Sequence, residues 1–393
     1  MTRHAYAGRA AIVGIGATEF SKASGRSELQ LALEACVAAC ADAGVEPEQV
    51  SGLSTFTMET NPETEIMRGL GIKELTHFSR IHFGGGAPCA TVQYAAMAVT
   101  AGVSDFVLCY RAFNERSGRR FGAGVQDRPA GETAESAQFA WTSPFGLLTP
   151  ASWVAMFATR MMHEYGVTSE DFGRIAVAAR KHAATNPAAH FFGQPITLAD
   201  HQASRWIVEP LHLLDCCQET DVGQAILVTT LDRARDLAKP AVVVEAAAQG
   251  MADDQQMMRS FFRESLVGLP EMSTCARQIW ETSGLGPGDV ATAVLYDHFT
   301  PFVLPQLEEF GFCGRGEAKD FIADGAIELG GRLPLNTHGG QLGEAYLHGM
   351  NGIAEAVRQV RGTSVNQVPD AAHVLVTGGT GVPTSALMLG AGR

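Results

Sequence analysis

The chain has 393 residues, enough for two or three packed units, and its 46% hydrophobic, 18% charged composition excludes a disordered or low-complexity polymer. It carries 42 acidic and 29 basic residues, a net charge of −13. No basic stripe runs along it, so neither a nucleic-acid partner nor a membrane-surface partner is expected.

The first residues, Met1 to His4, hold no leader core, and no long apolar span follows, so a cytoplasmic location is expected. An apolar strand over 10–14 runs into Gly14-Ile15-Gly16-Ala17-Thr18-Glu19. A dinucleotide fingerprint would need a third glycine where Glu19 stands. Leu29, Leu33, Cys36, Val37 and Cys40 then share one helical face, with Ser27 as N-cap and Gly44 as the stop. A strand over 52–57 comes next, then Gly84-Gly85-Gly86, a small-residue helix over 89–101 and a strand over 105–110. A large insertion, 111–206, opens on a polar run that includes Arg116, Arg119 and Arg120. It holds a helix over 152–165 and a second one after a Thr168 cap, with Asp171 at the capping-box position and a stop at Asn186-Pro187. The remainder reads as strands over 241–250, 293–296 and 373–376, with Gly339-Gly340 and a helix over 352–360 between the last two.

The chain repeats itself. Residues 43–50, Ala-Gly-Val-Glu-Pro-Glu-Gln-Val, match 283–290, Ser-Gly-Leu-Gly-Pro-Gly-Asp-Val, in glycine, apolar residue, proline and valine. In both copies a helical stretch precedes and a strand follows. Such self-similarity implies duplicated α/β units: an N-terminal half, 1–237, carrying the insertion, and a C-terminal half, 238–393. Alternating strands and helices predict mostly parallel pairing with right-handed crossovers. The eight cysteines lack a CxxC pair and mostly sit in apolar contexts, as buried free thiols do in a reducing compartment. The histidines show no metal-ligand spacing, and no metal is expected.

Four segments resemble the thiolase superfamily. They are Gly84-Gly85-Gly86 with the helix ending at Ala101-Gly102; the run 215–225, Asp215-Cys216-Cys217-Gln218-Glu219-Thr220-Asp221-Val222-Gly223-Gln224-Ala225; Tyr296-Asp297-His298-Phe299, at the place of an Asn-Glu-Ala-Phe loop; and Asn336-Thr337-His338-Gly339-Gly340 continuing to Tyr346-Leu347-His348-Gly349-Met350-Asn351-Gly352. The resemblance spans the chain and implies an α/β thiolase fold, two duplicated halves in a layered αβαβα core. The departures tell more. Counting back from Gly102 by the family spacing places Gly85, not Cys89, at the nucleophile position. Tyr346 replaces the histidine of the Gly-His-Pro motif, and Tyr296 the asparagine of the loop. The second catalytic cysteine is missing from 374–377, before the final glycine run. Without a thiolate no acyl-enzyme forms.

This pattern resembles the thiolase-like aldolases of bacterial steroid side-chain degradation, the lipid-transfer-protein type. The resemblance implies retro-aldol cleavage of a β-hydroxyacyl-CoA with no cofactor beyond the CoA thioester itself. It also implies a homodimer core flanked by a partner bearing an OB-fold of the acyl-CoA-associated type. Such a step needs a base for the hydroxyl proton and donors for the thioester enolate. Tyr296 and Tyr346 are the candidates for proton transfer, one as phenolate base if hydrogen bonds or a positive neighbour favour it, the other as acid. Asp297, His298 and His348 are placed to tune or relay, and His338 stands nearby in sequence. Backbone N–H groups near Gly85, Gly340 or Gly379 are candidate oxyanion donors. Arg116, Arg119 and Arg120 are candidates for the CoA phosphates, because guanidinium matches phosphate geometry. A thiolase or acetyltransferase with a relocated nucleophile, and a non-catalytic acyl-CoA or lipid binder, are the competing readings.

Overall fold

The structure is a computed structural model that describes residues 4–82, 84–118, 120, 122, 137–255, 258, 263–380 and 384–391. The first half runs β1 (Ala10–Ala17), α1 (Glu28–Ala43), β2 (Gly52–Phe56), α2 (Glu63–Leu70), β3 (His77–Ile81), α3 (Pro88–Thr100) and β4 (Val107–Asn114). The insertion adds α4 (Pro150–Tyr165), α5 (Ser169–Thr185), α6 (Leu198–Ala203) and a small hairpin of β5 (Trp206–Val208) and β6 (Leu211–His212). After β7 (Asp221–Thr230) the second half runs β8 (Val242–Gly250), α7 (Pro270–Ser283), β9 (Thr292–Val294), α8 (Met350–Arg361), β10 (His373–Gly378) and β11 (Thr384–Ala391).

The helix ends follow local chemistry. Ser27 accepts the Gln30 N–H, and Gly44 closes α1 in the left-handed conformation at φ 70°. Thr168 and Asp171 form the capping box of α5, which ends at Asn186.

Among the described residues, nine strands form one sheet in the order β3-β2-β4-β7-β1-β8-β11-β10-β9. The two arms mirror each other about the central antiparallel pair β1–β8, where Ala11 faces Val243. Outward from it, β7 and β11 pair antiparallel with their neighbours on both sides. Next come the parallel pairs β4–β2 and β10–β9. The expectation of mostly parallel pairing is therefore corrected. Among the described residues, five of the eight pairs in this sheet are antiparallel, because the last strand of each half returns against its predecessor rather than crossing over.

Helix α1 covers the outer face of the first arm through Leu31, Ala35 and Ala39. Gly14 and Gly16 permit this approach: a Cβ on either would stand 2.0 or 2.3 Å from a carbonyl oxygen of α1. Helix α7 covers the second arm. Helices α3 and α8 lie between the arms and touch strands of both, giving the layer order αβαβα. A second correction concerns the insertion's start. Arg111–Asn114 are strand residues, paired with Gln224–Asp221 of β7. Their polar side chains read as loop, but Arg111 is buried against a carboxylate partner.

Candidate active site

Strand β9 delivers Tyr296 to the inner layer. Its backbone N–H donates to Thr377 Oγ1 at 2.9 Å and to Gln306 Oε1 at 3.2 Å, and Gln306 Nε2 donates back to its carbonyl at 2.8 Å. Tyr346 sits between the short helix Gly340–Gly343 and α8, and its N–H donates to Thr220 Oγ1 at 3.1 Å. These anchors bring two buried phenols together, with 3.5 Å between hydroxyl oxygens. Gly85 lies against them: a Cβ there would stand 2.1 Å from the Tyr296 hydroxyl. The volume that a side chain at position 85 would enter is filled by the tyrosine.

Burial pushes both phenols far above the ordinary tyrosine range, and Cys217 and Glu115 push the same way. The surroundings thus favour neutral hydroxyls, opposite to the positive neighbour that a resting phenolate needs. Glu115, just past β4, is itself buried and held well above the usual carboxyl range by burial and by Glu219.

His348 lies beside the pair. Its ring centroid is 5.1 Å from that of Tyr346, and it stacks on Phe113 at 5.3 Å and 28°. Burial and the adjacent Arg111 hold it well below the ordinary histidine value. His298 stacks parallel to Phe302, with its ring 4.7 Å from Tyr296, and burial lowers it to about 3.

Asp297 turns elsewhere. Its Oδ1 accepts the Gln341 N–H at 2.8 Å, and a Cβ on Gly340 would stand 1.9 Å from its Oδ2. Burial raises this carboxyl to about 6. Gly340 (φ 64°) therefore meets Asp297 rather than the phenols, and His338 lies 3.7 Å from Glu344. Gly379 (φ 77°) belongs to the turn whose preceding residue, Gly378, packs onto the carbonyl of Gly85. The buried Cys89 thiol faces the Val376 carbonyl at 3.8 Å and is pushed up by burial. Arg120 pairs with Glu219 at 2.7 Å and Arg116 approaches the same carboxylate at 4.0 Å, both half-exposed. Arg119 lies outside the described residues.

Arg111, Glu59, Glu115, Gln306 and Thr377 escape a sequence reading. A charge inside the otherwise apolar run of β4 was the one visible signal, since a buried arginine demands a partner.

The site and fold define a thiolase-fold enzyme in which Tyr296, paired with Tyr346, fills the space that a side chain at position 85 would enter. The family described as thiolase C-terminal domain-like matches residues 252–390. Over 386 residues the chain is 66% identical to a steroid side-chain-cleaving aldolase of Thermomonospora curvata, covering 98% of this chain and 99% of that one. It is 67% identical to a 17-hydroxy-3-oxo-4-pregnene-20-carboxyl-CoA lyase of Mycobacterium tuberculosis, again over 98% and 99%. The solved structure of the Ltp2–ChsH2(DUF35) aldolase superposes with a TM-score of 0.95 at 65% identity, covering 99% of this chain and 100% of that chain. The chain belongs to the family of steroid side-chain-cleaving aldolases. Human mitochondrial 3-ketoacyl-CoA thiolase, 14% identical with a TM-score of 0.68 over 98% of both chains, shares the fold. Among the described residues no helix is long and apolar enough to cross a membrane.

Proposed function

We propose that this chain cleaves a steroid side-chain β-hydroxyacyl-CoA by a retro-aldol step, releasing a short acyl-CoA and a steroid ketone or aldehyde. The observation that carries this is the tyrosine pair seated where a nucleophile at position 85 would reach. Identity of 66% and 67% to two enzymes named for such cleavage supports it.

The substrate's β-hydroxyl gives its proton to one tyrosine as the carbon–carbon bond breaks and the carbinol becomes a carbonyl. The bonding pair moves into the thioester as an enolate. The receiving tyrosine passes its own proton to its neighbour, whose proton ends on the enolate carbon. One proton enters the pair and one leaves, so no phenolate persists, which suits phenols that burial has pushed up. Donors around Gly85 and the Gly378–Gly379 turn are assigned to the enolate oxygen. Asp297 and Gly340 hold the Tyr296 loop against the short helix Gly340–Gly343. We assign the CoA phosphates to Arg116, Arg119 and Arg120. The CoA thioester is substrate, and these steps draw on no cofactor.

We assign a homodimer core to the β3 edge, with a partner of OB-fold type beside it. Strand β3 ends the sheet and exposes 68% of Phe78, whereas the opposite edge, β9, bonds with the 334–336 segment. The 65% identical relative is an assembly of two chain types by its name. The test of the reading is Tyr296→Phe and Tyr346→Phe, each assayed for steroid thioester cleavage. Each lowers kcat by about 10²–10⁴-fold. Near-full cleavage by both overturns the assignment.

A further inference from the structure

Behind the tyrosine pair, Glu59, Arg111 and His348 form a buried line. Arg111, on β4, is 2% exposed, and the side chain of Glu59 is fully enclosed. Glu59 Oε2 accepts from Arg111 Nη1 and from the Ala112 N–H, both at 2.9 Å. Its Oε1 accepts from the backbone and side-chain amides of Asn61 at 3.2 and 2.5 Å. Both carboxylate oxygens are thus engaged. The guanidinium carbon lies 4.5 Å from the Phe113 ring centroid and 5.9 Å from that of Phe56, and Nη1 also donates to the Ala112 carbonyl at 3.0 Å. Arg111 Nε donates to His348 Nδ1 at 3.4 Å.

A guanidinium has no acceptor and keeps its protons. The Nδ1 that meets it must present a lone pair. A neutral imidazole with a bare Nδ1 carries its proton on Nε2. A second proton is opposed by burial and by the adjacent cation. The ring is held in place by Phe113 and by a left-handed backbone at residue 348, φ 51°. Its Nε2 edge lies against Gly84, where a Cβ would stand 2.9 Å away, one residue from the glycine that faces the tyrosine pair.

We infer that His348 is a hydrogen-bond donor, through Nε2–H, to the thioester oxygen on which enolate charge develops, and that Glu59 and Arg111 are positioning residues that fix this tautomer. A base or a proton relay would need Nε2 bare. The identity of the oxygen rests on the retro-aldol reading; the tautomer does not.

The test compares side chains that imitate one ring nitrogen each. Glutamine places its amide nitrogen where His Nε2 lies, and asparagine where Nδ1 lies. His348→Asn lowers kcat by about 10²–10³-fold, the loss typical of one oxyanion donor, whereas His348→Gln stays within about tenfold of wild type. Equal inactivity of both overturns the donor role. The charge-neutral double variant Glu59→Gln/Arg111→Gln avoids leaving a lone buried charge. It lowers kcat by about tenfold or more in the wild-type background but by less than about threefold in His348→Gln, which has no tautomer to fix. Equal losses in both backgrounds mean a scaffold role only and overturn the positioning claim. Nitrogen-15 spectra of His348, assigned by their loss in His348→Gln, read the tautomer without turnover. Protonated Nε2 with bare Nδ1 is required, and protonated Nδ1 overturns the inference. A wild-type enzyme that binds the thioester without cleaving it overturns the retro-aldol reading, while the nitrogen spectrum still decides the tautomer.

Discussion

The hydroxyl of Tyr296 lies 2.1 Å from where a side-chain carbon on Gly85 would stand. The two positions exclude each other. A nucleophile at 85 needs the tyrosine gone, and the tyrosine needs glycine at 85. Covalent thiolase chemistry and the tyrosine pair are alternatives within one volume. Even the smallest side chain at 85 forces Tyr296 to move, with Gln306 and Thr377 holding its backbone in place. Gly85→Ala is expected to lower kcat by about 10²-fold, the scale of an ångström misplacement at a reacting centre. Steady-state cleavage within threefold of wild type would show that the pair tolerates displacement.

Cys89 stands four residues after Gly85, and its thiol is buried, pushed up and turned to the Val376 carbonyl. A thiol held in this form is a poor nucleophile. Cys89→Ala retains cleavage within about twofold, and alkylating reagents leave the wild-type rate unchanged. Loss of turnover on alkylation, abolished in Cys89→Ala, would restore a covalent route.

What the sequence made legible was local or spaced along the chain. The caps at Ser27 and Thr168 lie within one helical turn of the groups they satisfy. The mirrored arms followed from the repeat of 43–50 in 283–290. Strand direction was not legible, because a run of apolar residues carries no mark of its neighbour's sense. Arg111–Asn114 read as loop because the partner that buries Arg111 lies 52 residues away. The two tyrosines stood out by residue type, but the sign of their perturbation needed their burial and the nearby Cys217 and Glu115. The close approach of Asp297 to Gly340 joins positions 43 residues apart and left no mark in the sequence.

Glu344 supplies a pH signature of the fold. It accepts from Asn186 and Asn351, and burial raises its carboxyl from 4.5 to about 7. A raised carboxyl means that the folded state binds the proton more tightly than the unfolded one. The stabilisation is complete below the unfolded value and is lost as pH rises through the folded one. Unfolding free energy should therefore fall by ~3 kcal/mol from this group between about pH 4.5 and 7. Glu344→Gln should flatten the dependence in urea titrations across that window. An unchanged slope would assign it to other groups.

Glu219 competes for the cations assigned to CoA. It pairs with Arg120 at 2.7 Å and stands 4.0 Å from Arg116. Arg120→Ala is expected to raise KM for the CoA thioester by about three- to tenfold with kcat retained, and Glu219→Gln to lower KM. Rising salt should shrink both effects, since Arg116 and Arg120 are half-exposed. A fall in kcat with unchanged KM would move the arginines from binding to chemistry.

Retro-aldol cleavage is tested most directly by product analysis with the purified chain, alone and with its partner, on a steroid β-hydroxyacyl-CoA, without added free CoA, read by mass spectrometry. Retro-aldol cleavage yields a short acyl-CoA and a steroid ketone or aldehyde in equal amounts, with no enzyme-bound acyl species. Intact substrate, with cleavage only of a β-ketoacyl-CoA and only after free CoA is supplied, would contradict it and return the site to thiolase chemistry.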